Sequence, residues 1–326
     1  MNPDVAAAVV RLGRDSVLTP QQTAHFGRVA RGELVSVRPE LRFFLYCGVL
    51  AVMAGVGVLV QQNLDRIGPV AIAAGLWLAA AGALLWAERH APAFTWEKAP
   101  AGHLAFDYIL LLGVLLTGAA LAYTEVKFTP LGAAWSTHLL IMSVFAGALA
   151  VWGDSRTVAG LALSTFAAWR GVSASPLSGA FWSGPERETA IRWNAGLTGL
   201  LFVGLGVLLV RTNKKAHFEP LAAHLGWLLV LASILSGVGE GGSVGASFQI
   251  GLLLVGAGLA VWAFLAGRFS LFGMGLVAAY VGLTALTVSA LPDPFLGFMW
   301  FIVTGGGVLV ALLVANHKIK ARKARP

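Results

Sequence analysis

Side chains that could do chemistry are scarce in this chain, and most of them lie close to the ends of apolar runs. Charged residues make up 12% of the 326 residues, whereas hydrophobic residues make up 57%. A polar or ionisable group in so apolar a segment is costly to place, so it is a candidate for binding a solute. Five such residues are predicted to line one polar cavity: Gln61, Glu125, His138, Asn194 and Gln249. The alternative is that each contacts water or lipid head groups separately.

A histidine and an aspartate four residues apart form a second candidate site. His103 and Asp107 would share one face of a helix, either as a hydrogen-bonded structural pair or as half of a proton or metal site. The 7 histidines include no H-x-x-x-H spacing, and none is paired with the single cysteine, Cys47. We therefore predict no metal site and no cofactor.

One pattern formally resembles a hydrolase nucleophile. Residues 241–245, GGSVG, match G-x-S-x-G, but this pattern marks a nucleophile only on a strand-to-helix turn. Here it falls in a glycine-rich hairpin, 237–247, between two apolar runs. The nearest upstream base, His224, would lie roughly 25 Å from Ser243 along a helix. No enzymatic centre is predicted.

The elements that must position these residues are long apolar runs, each able to cross a hydrocarbon layer about 30 Å thick. They predict an all-α fold, a polytopic helical membrane protein with about ten transmembrane helices. The fifth run is short and could instead be re-entrant or interfacial. The predicted spans are 43–61, 67–87, 104–124, 134–152, 157–170, 193–210, 220–237, 246–266, 269–290 and 295–315.

The distribution of basic residues favours ten spans over nine. With ten spans and the N-terminus inside, the inside segments hold 18 of the 23 Lys and Arg residues, as the positive-inside rule requires. Both termini are then cytoplasmic. The segment LVQQNLDRIGPV, 59–70, becomes the first outer turn, in which residues 61–63 end the first span. The outer loop 171–192 could lie on the membrane as an amphipathic lid.

The net charge of +8 could indicate nucleic acid, but the basic residues lie at the termini and in short loops. The predicted partner is therefore the lipid bilayer, with a membrane-protein partner or a second copy as a further option, and not nucleic acid. Residues 1–41 are predicted to form a basic helical cytoplasmic segment, in which Thr19 and Gln22 form a capping box. Residues 42–316 form the transmembrane bundle, and residues 317–326 a basic cytoplasmic tail.

Glycines recur within the spans, and small residues allow the backbones of neighbouring helices to approach closely. Close packing is the predicted role of pairs such as Gly204 with Gly206 and Gly256 with Gly258; a gating hinge is the alternative. Residues 48–63 also resemble residues 199–213. This similarity suggests two halves, 42–170 and 192–316, as in inverted-repeat transporters, although Gly/Leu/Val runs resemble one another easily.

Three segments resemble a family of bacterial predicted membrane proteins, domain-of-unknown-function family 2157. They are LTPQQTAHFGRVARGEL, LRFFLYCGVLAVMAGVGVLVQQNLDRIGP and FDYILLLGVLLTGAALAY, within residues 15–170. The resemblance implies a short cytoplasmic helical segment and a glycine-bearing first span that ends in an Asn-x-Asp turn. The chain departs at Leu64, where members often have Trp, and at Glu125, where Gln is usual. The family has no assigned activity to carry over.

These observations indicate an integral inner-membrane protein whose best predicted activity is transport or export of a small or amphipathic solute. The alternative is a structural or assembly subunit of a membrane protein complex, which would bury a small-residue face against its partner.

Overall fold

The computed structural model describes residues 3–30, 38–99, 105–128, 136–173, 185–291 and 294–323. These residues contain no β-strand, which confirms the predicted all-α class. They form twelve α-helices and one 3₁₀ turn, Ala216–Phe218. The helices are α1 Pro3–Arg14, α2 Pro20–Ala30, α3 Arg38–Ile67, α4 Pro69–His90, α5 Phe106–Lys127, α6 Thr137–Gly153, α7 Arg156–Ser173, α8 Pro185–Thr212, α9 Glu219–Leu235, α10 Gly242–Leu265, α11 Phe269–Ala290 and α12 Pro294–Lys323.

Eight of the described helices contain segments long and apolar enough to cross a membrane, namely those in α3, α4, α5, α8, α9, α10, α11 and α12. The chain therefore has the construction of a multi-pass membrane protein. The predicted ten spans also include α6, which is apolar but only 17 residues long, and α7, which is less apolar. That these two helices cross the membrane stays a prediction.

Three predicted boundaries differ from the observed helices. Helix α3 continues through Asn63 to Ile67, so only Gly68 separates it from α4. Gly68 has φ +77°, a backbone conformation that glycine adopts more easily than other residues. Pro69 follows in the first turn of α4, where the helix needs no N–H donor. The predicted hairpin 237–247 is shorter, because α10 already begins at Gly242. The predicted tail is helical to Lys323, as expected of alanine and basic residues at a helix C-terminus.

The chain divides into two compact units, Met1–Asp65 and Arg66–Pro326. In the first unit the predicted capping box is confirmed. The Thr19 N–H donates to Gln22 Oε1 at 3.0 Å, and the Gln22 N–H donates to Thr19 Oγ1 at 3.2 Å. These two bonds satisfy amide groups that the start of α2 would otherwise leave without partners.

The second unit is built from four antiparallel helix pairs that are consecutive in the chain: α4–α5, α6–α7, α8–α9 and α10–α11. Glycines bring two of these pairs into backbone contact. A Cβ on Gly199 would lie 2.6 Å from the Gly226 carbonyl oxygen, and a Cβ on Gly256 would lie 2.5 Å from the Ala279 nitrogen. Close packing is thus confirmed for Gly256. A Cβ on Gly204 or on Gly258 would meet open space instead.

This pairing gives the second unit two distinct ends. The basic end is formed by the connections inside the four pairs, residues 91–99, 154–155, 213–218 and 266–268. At the opposite end α5, α7 and α9 end and α6, α8 and α10 begin. Helix α12 runs antiparallel to α11, since Leu312 lies near Gly273 and Gly297 near Val288, so the basic C-terminus of α12 returns to the basic end.

Candidate functional site

The most deeply buried charges lie at the basic end, in a group that we call the Asp154 cluster: Asp154, Lys215 and His217. Asp154 follows the last turn of α6 with φ +54°, and Lys215 lies in the α8–α9 connection with φ +48°. The Lys215 ammonium donates to Asp154 Oδ1 at 2.6 Å, and its side chain is only 2% exposed. His217 Nε2 lies 2.8 Å from the same oxygen, off the line of a regular hydrogen bond.

The α4–α5 connection closes over this cluster. The Ala99 N–H donates to Asp154 Oδ2 at 2.8 Å, and the Lys215 N–H donates to the Trp96 carbonyl oxygen at 2.6 Å. The ring of Phe94 lies 5.4 Å from the Lys215 ammonium. A buried ammonium is costly unless it is paired and hydrogen-bonded, so these contacts hold three connections to one carboxylate. Within the described residues no three His, Cys, Asp or Glu side chains could together hold a metal ion.

Sequence reasoning did not select Asp154, Lys215 or His217. Asp154 and Lys215 are separated by 61 residues, and nothing local indicates that the α6–α7 and α8–α9 turns meet. The available signal was modest: an aspartate next to the end of a predicted span, at the end of the bundle where basic residues gather.

A cavity of about 520 Å³ opens beside α8, α9 and α10 near the basic end. Apolar residues form most of its wall, and three ionisable residues lie at the end nearest the connections: Arg211, Glu219 and Arg268. The remaining lining is Val203, Val207, Val210, Ala223, Trp227, Gly258, Leu259 and Trp262. The volume falls within the range of about 300–1,000 Å³ that is typical of small-molecule sites.

The ionisable residues at the cavity are unevenly paired. A terminal nitrogen of Arg268 donates to the Glu219 carboxylate, and the Arg268 guanidinium lies 5.4 Å from the ring centre of Trp262. Arg211 is exposed and makes no ion pair with the described residues. Two guanidinium groups therefore face one carboxylate, which leaves this end of the cavity with an excess of positive charge.

Three of the five residues predicted to share a polar cavity take partners from a neighbouring helix. Glu125 Oε2 lies 3.3 Å from His138 Nδ1, and both side chains are 14% exposed. Asn194 accepts from Arg170 at 2.6 Å and donates to the Arg170 carbonyl oxygen at 3.3 Å.

The other two residues lie elsewhere in the chain. The amide of Gln249 donates to the Val238 carbonyl oxygen at 3.2 Å. Gln61 is exposed on α3, in the first compact unit. The structure thus brings Glu125 to His138, and none of the five residues lines the 520 Å³ cavity. A cavity shared by them stays a prediction.

The remaining candidates are placed as follows. His103 lies outside the described residues, as does the central part of the predicted lid, residues 174–184. Asp107 is exposed in the first turn of α5, where a carboxylate is favoured by the helix dipole. His224 lies against Ser270, with Nε2 2.5 Å from the hydroxyl oxygen, while Ser243 belongs to the first turn of α10.

No family model, curated protein or solved structure matches this chain in comparisons with known proteins. The class of this protein therefore rests on its fold alone, which is that of a helical membrane protein that passes the bilayer several times.

Proposed function

We propose that this chain carries an amphipathic solute across a bacterial inner membrane, and that the apolar part of the solute binds in the cavity beside α8, α9 and α10. The cavity is the observation that carries this proposal. It is lined by three candidate spans, and its wall follows α8 from Val203 to Arg211. Eight residues of helix correspond to about 12 Å of depth.

The orientation of the cavity follows from the distribution of charge. The basic end would face the cytoplasm under the positive-inside rule, with ten spans and both termini cytoplasmic. The bacterial location is supported by the resemblance to domain-of-unknown-function family 2157, which stays a prediction. In this orientation the ionisable residues of the cavity lie near the inner head groups, and its apolar wall extends toward the middle of the bilayer.

A filled cavity tests whether the site binds amphiphiles. Gly258 lines the cavity and a Cβ there meets open space, so Gly258→Leu should occupy part of the volume without moving the backbone. Gly204 on α8 has equally open surroundings and does not line the cavity, which makes Gly204→Leu the matched control. The probe is a dodecyl glucoside with a photoactivatable chain, crosslinked to the protein in phosphatidylcholine vesicles.

We expect the probe to label residues of the cavity wall, and Gly258→Leu to lower this labelling severalfold relative to Gly204→Leu. The rate at which the probe crosses protein-containing vesicles should fall in parallel. Labelling that avoids α8, α9 and α10, or equal labelling of both variants, would refute the proposal.

Helix α12 favours a second candidate function, that of a subunit in a membrane protein complex. Only 6% of the most apolar segment of α12 is buried in the structure, and a Cβ on Gly306 or Gly307 would meet open space. Small outward-facing residues would allow another helix to approach closely. Mild-detergent purification from the native membrane should then yield a partner that Gly306→Leu releases. Purification of the monomer alone would contradict this role.

A further inference from the structure

We infer that the occupant of the cavity is an anionic phospholipid, whose phosphate binds Arg211 and the free nitrogen atoms of Arg268 and whose acyl chain lies against the apolar wall. This inference rests on the proposed function and specifies the chemistry of the solute. Its basis is the combination of charge, exposure and position around one cavity.

The charge at the cavity favours an anion. Glu219 compensates Arg268, but Arg211 has no ion-pair partner among the described residues. The Arg268 guanidinium donates to Glu219 through one terminal nitrogen. The planar guanidinium group can therefore still offer donors to a phosphate, which it binds better than a lysine would.

The exposure of the wall favours an occupant that arrives from the bilayer. Ala223 and Leu259 form the floor and are 5% and 3% exposed, whereas Val207, Val210 and Trp262 on the rim are about half exposed. These rim residues belong to candidate membrane spans, so the cavity opens toward lipid. A lipid could enter sideways without leaving the membrane.

The position of the ionisable residues matches the geometry of a lipid. Arg211 lies at the end of α8 and Arg268 just before α11, both at the basic end, while the apolar wall extends away from them. Basic pockets between helices on the cytoplasmic side of a membrane are suited to anionic head groups. A phosphate held at this end leaves its acyl chain alongside Val203 and Trp227.

The test compares three photoactivatable lipids with identical chains in nanodiscs of phosphatidylcholine: phosphatidic acid, phosphatidylcholine and diacylglycerol. The full-length chain is crosslinked and the labelled peptides are identified. Arg211→Gln removes the unpaired charge. Arg89→Gln is the matched control, because Arg89 is exposed in the last turn of α4, also at the basic end, and does not line the cavity.

We expect phosphatidic acid to label the cavity wall most strongly, and Arg211→Gln to lower that labelling about fivefold, as for one basic residue near an anionic head group. Arg89→Gln should leave it unchanged, and Glu219→Gln should raise it by removing the competing carboxylate. Equal labelling by all three lipids would overturn this inference and leave the proposed function standing, as would equal losses in Arg211→Gln and Arg89→Gln. Failure of every amphiphile to label the wall would overturn both.

Discussion

The two ends of the unit Arg66–Pro326 are held by polar contacts of different kinds. At the basic end a single carboxylate, Asp154, binds residues that are 61 and 55 positions away, Lys215 and Ala99. At the opposite end two contacts join helices that follow one another in the chain. Glu125 of α5 pairs with His138 of α6, and Arg170 of α7 pairs with Asn194 of α8.

The contacts at the two ends also differ in burial. The side chains of Lys215 and Asp154 are 2% and 8% exposed, whereas at the opposite end Glu125 and His138 are each 14% exposed and Glu240 is 37% exposed. Buried ionic contacts are costly to break, while exposed ones contribute little. The basic end should therefore open as one body, and the opposite end pair by pair. For a carrier, this arrangement would keep the cavity walls fixed at the basic end and allow motion at the opposite end.

Of the changes considered, removing the carboxylate of Asp154 should lower the stability of the protein most. Asp154→Ala leaves the Lys215 ammonium buried without a counter-charge and the Ala99 N–H without its acceptor. We expect a loss of about 3–5 kcal/mol in the free energy of unfolding. Thermal unfolding followed by circular dichroism would measure it, and amide hydrogen exchange should rise in residues 91–99 and 213–218 together.

A double variant separates the charge from the packing. Lys215→Met in the Asp154→Ala background removes the buried charge and keeps an unbranched apolar side chain. Most of the lost stability should return, because replacing a buried ion pair by apolar groups is often nearly neutral. A double variant that unfolds at the same temperature as Asp154→Ala would show that the buried Lys215 charge is not the source of the lost stability.

A glycine pair on α10 tests whether helix packing, rather than polar contact, distinguishes the two ends. Gly256→Ala places a methyl group 2.5 Å from the Ala279 nitrogen, so the α10–α11 backbones must separate. We expect a loss of about 1–3 kcal/mol. Gly258→Ala, two residues further on, meets open space and should stabilise the helix by up to about 1 kcal/mol.

Because Gly256 lies far from both sets of connections, its variant should lower the unfolding temperature and preserve the contrast in amide exchange between the ends. Exchange that rises equally at both ends in Gly256→Ala would mean that the contrast depends on α10–α11 packing and not on Asp154.

The sequence predicts features that depend on neighbours along the chain. The capping box of Thr19 and Gln22 was predictable because its partners are three residues apart. The ten apolar runs fall within helices α3 to α12, and eight of these helices are long and apolar enough to cross a membrane, since hydrophobicity over about 20 residues is itself the physical cause of a span. Glu125 and His138 meet because a single connection separates α5 from α6.

Other features depend on which helices pack together, and sequence spacing does not contain that information. Asp154 finds Lys215 only because the α6–α7 and α8–α9 turns lie side by side. The cavity exists because Gly258 and the rim valines leave a space that neighbouring helices do not fill. Gly256 and Gly258 look equivalent in sequence, yet only the first lies against another backbone.

The smallest expected loss of stability comes from a variant at the opposite end. This variant tests whether the polar pairs there act independently of one another. Glu125→Gln keeps the size of the side chain and an oxygen that can accept from His138, so the free energy of unfolding should fall by no more than about 1 kcal/mol. If the pairs are independent, amide exchange should rise near the ends of α5 and α6 and stay unchanged around Asn194, and His138→Ala should act in the same way. A rise that extends to Asn194 would instead join these residues in one polar network. That result would support the predicted shared cavity. The two ends would then differ only in how deeply their polar contacts are buried.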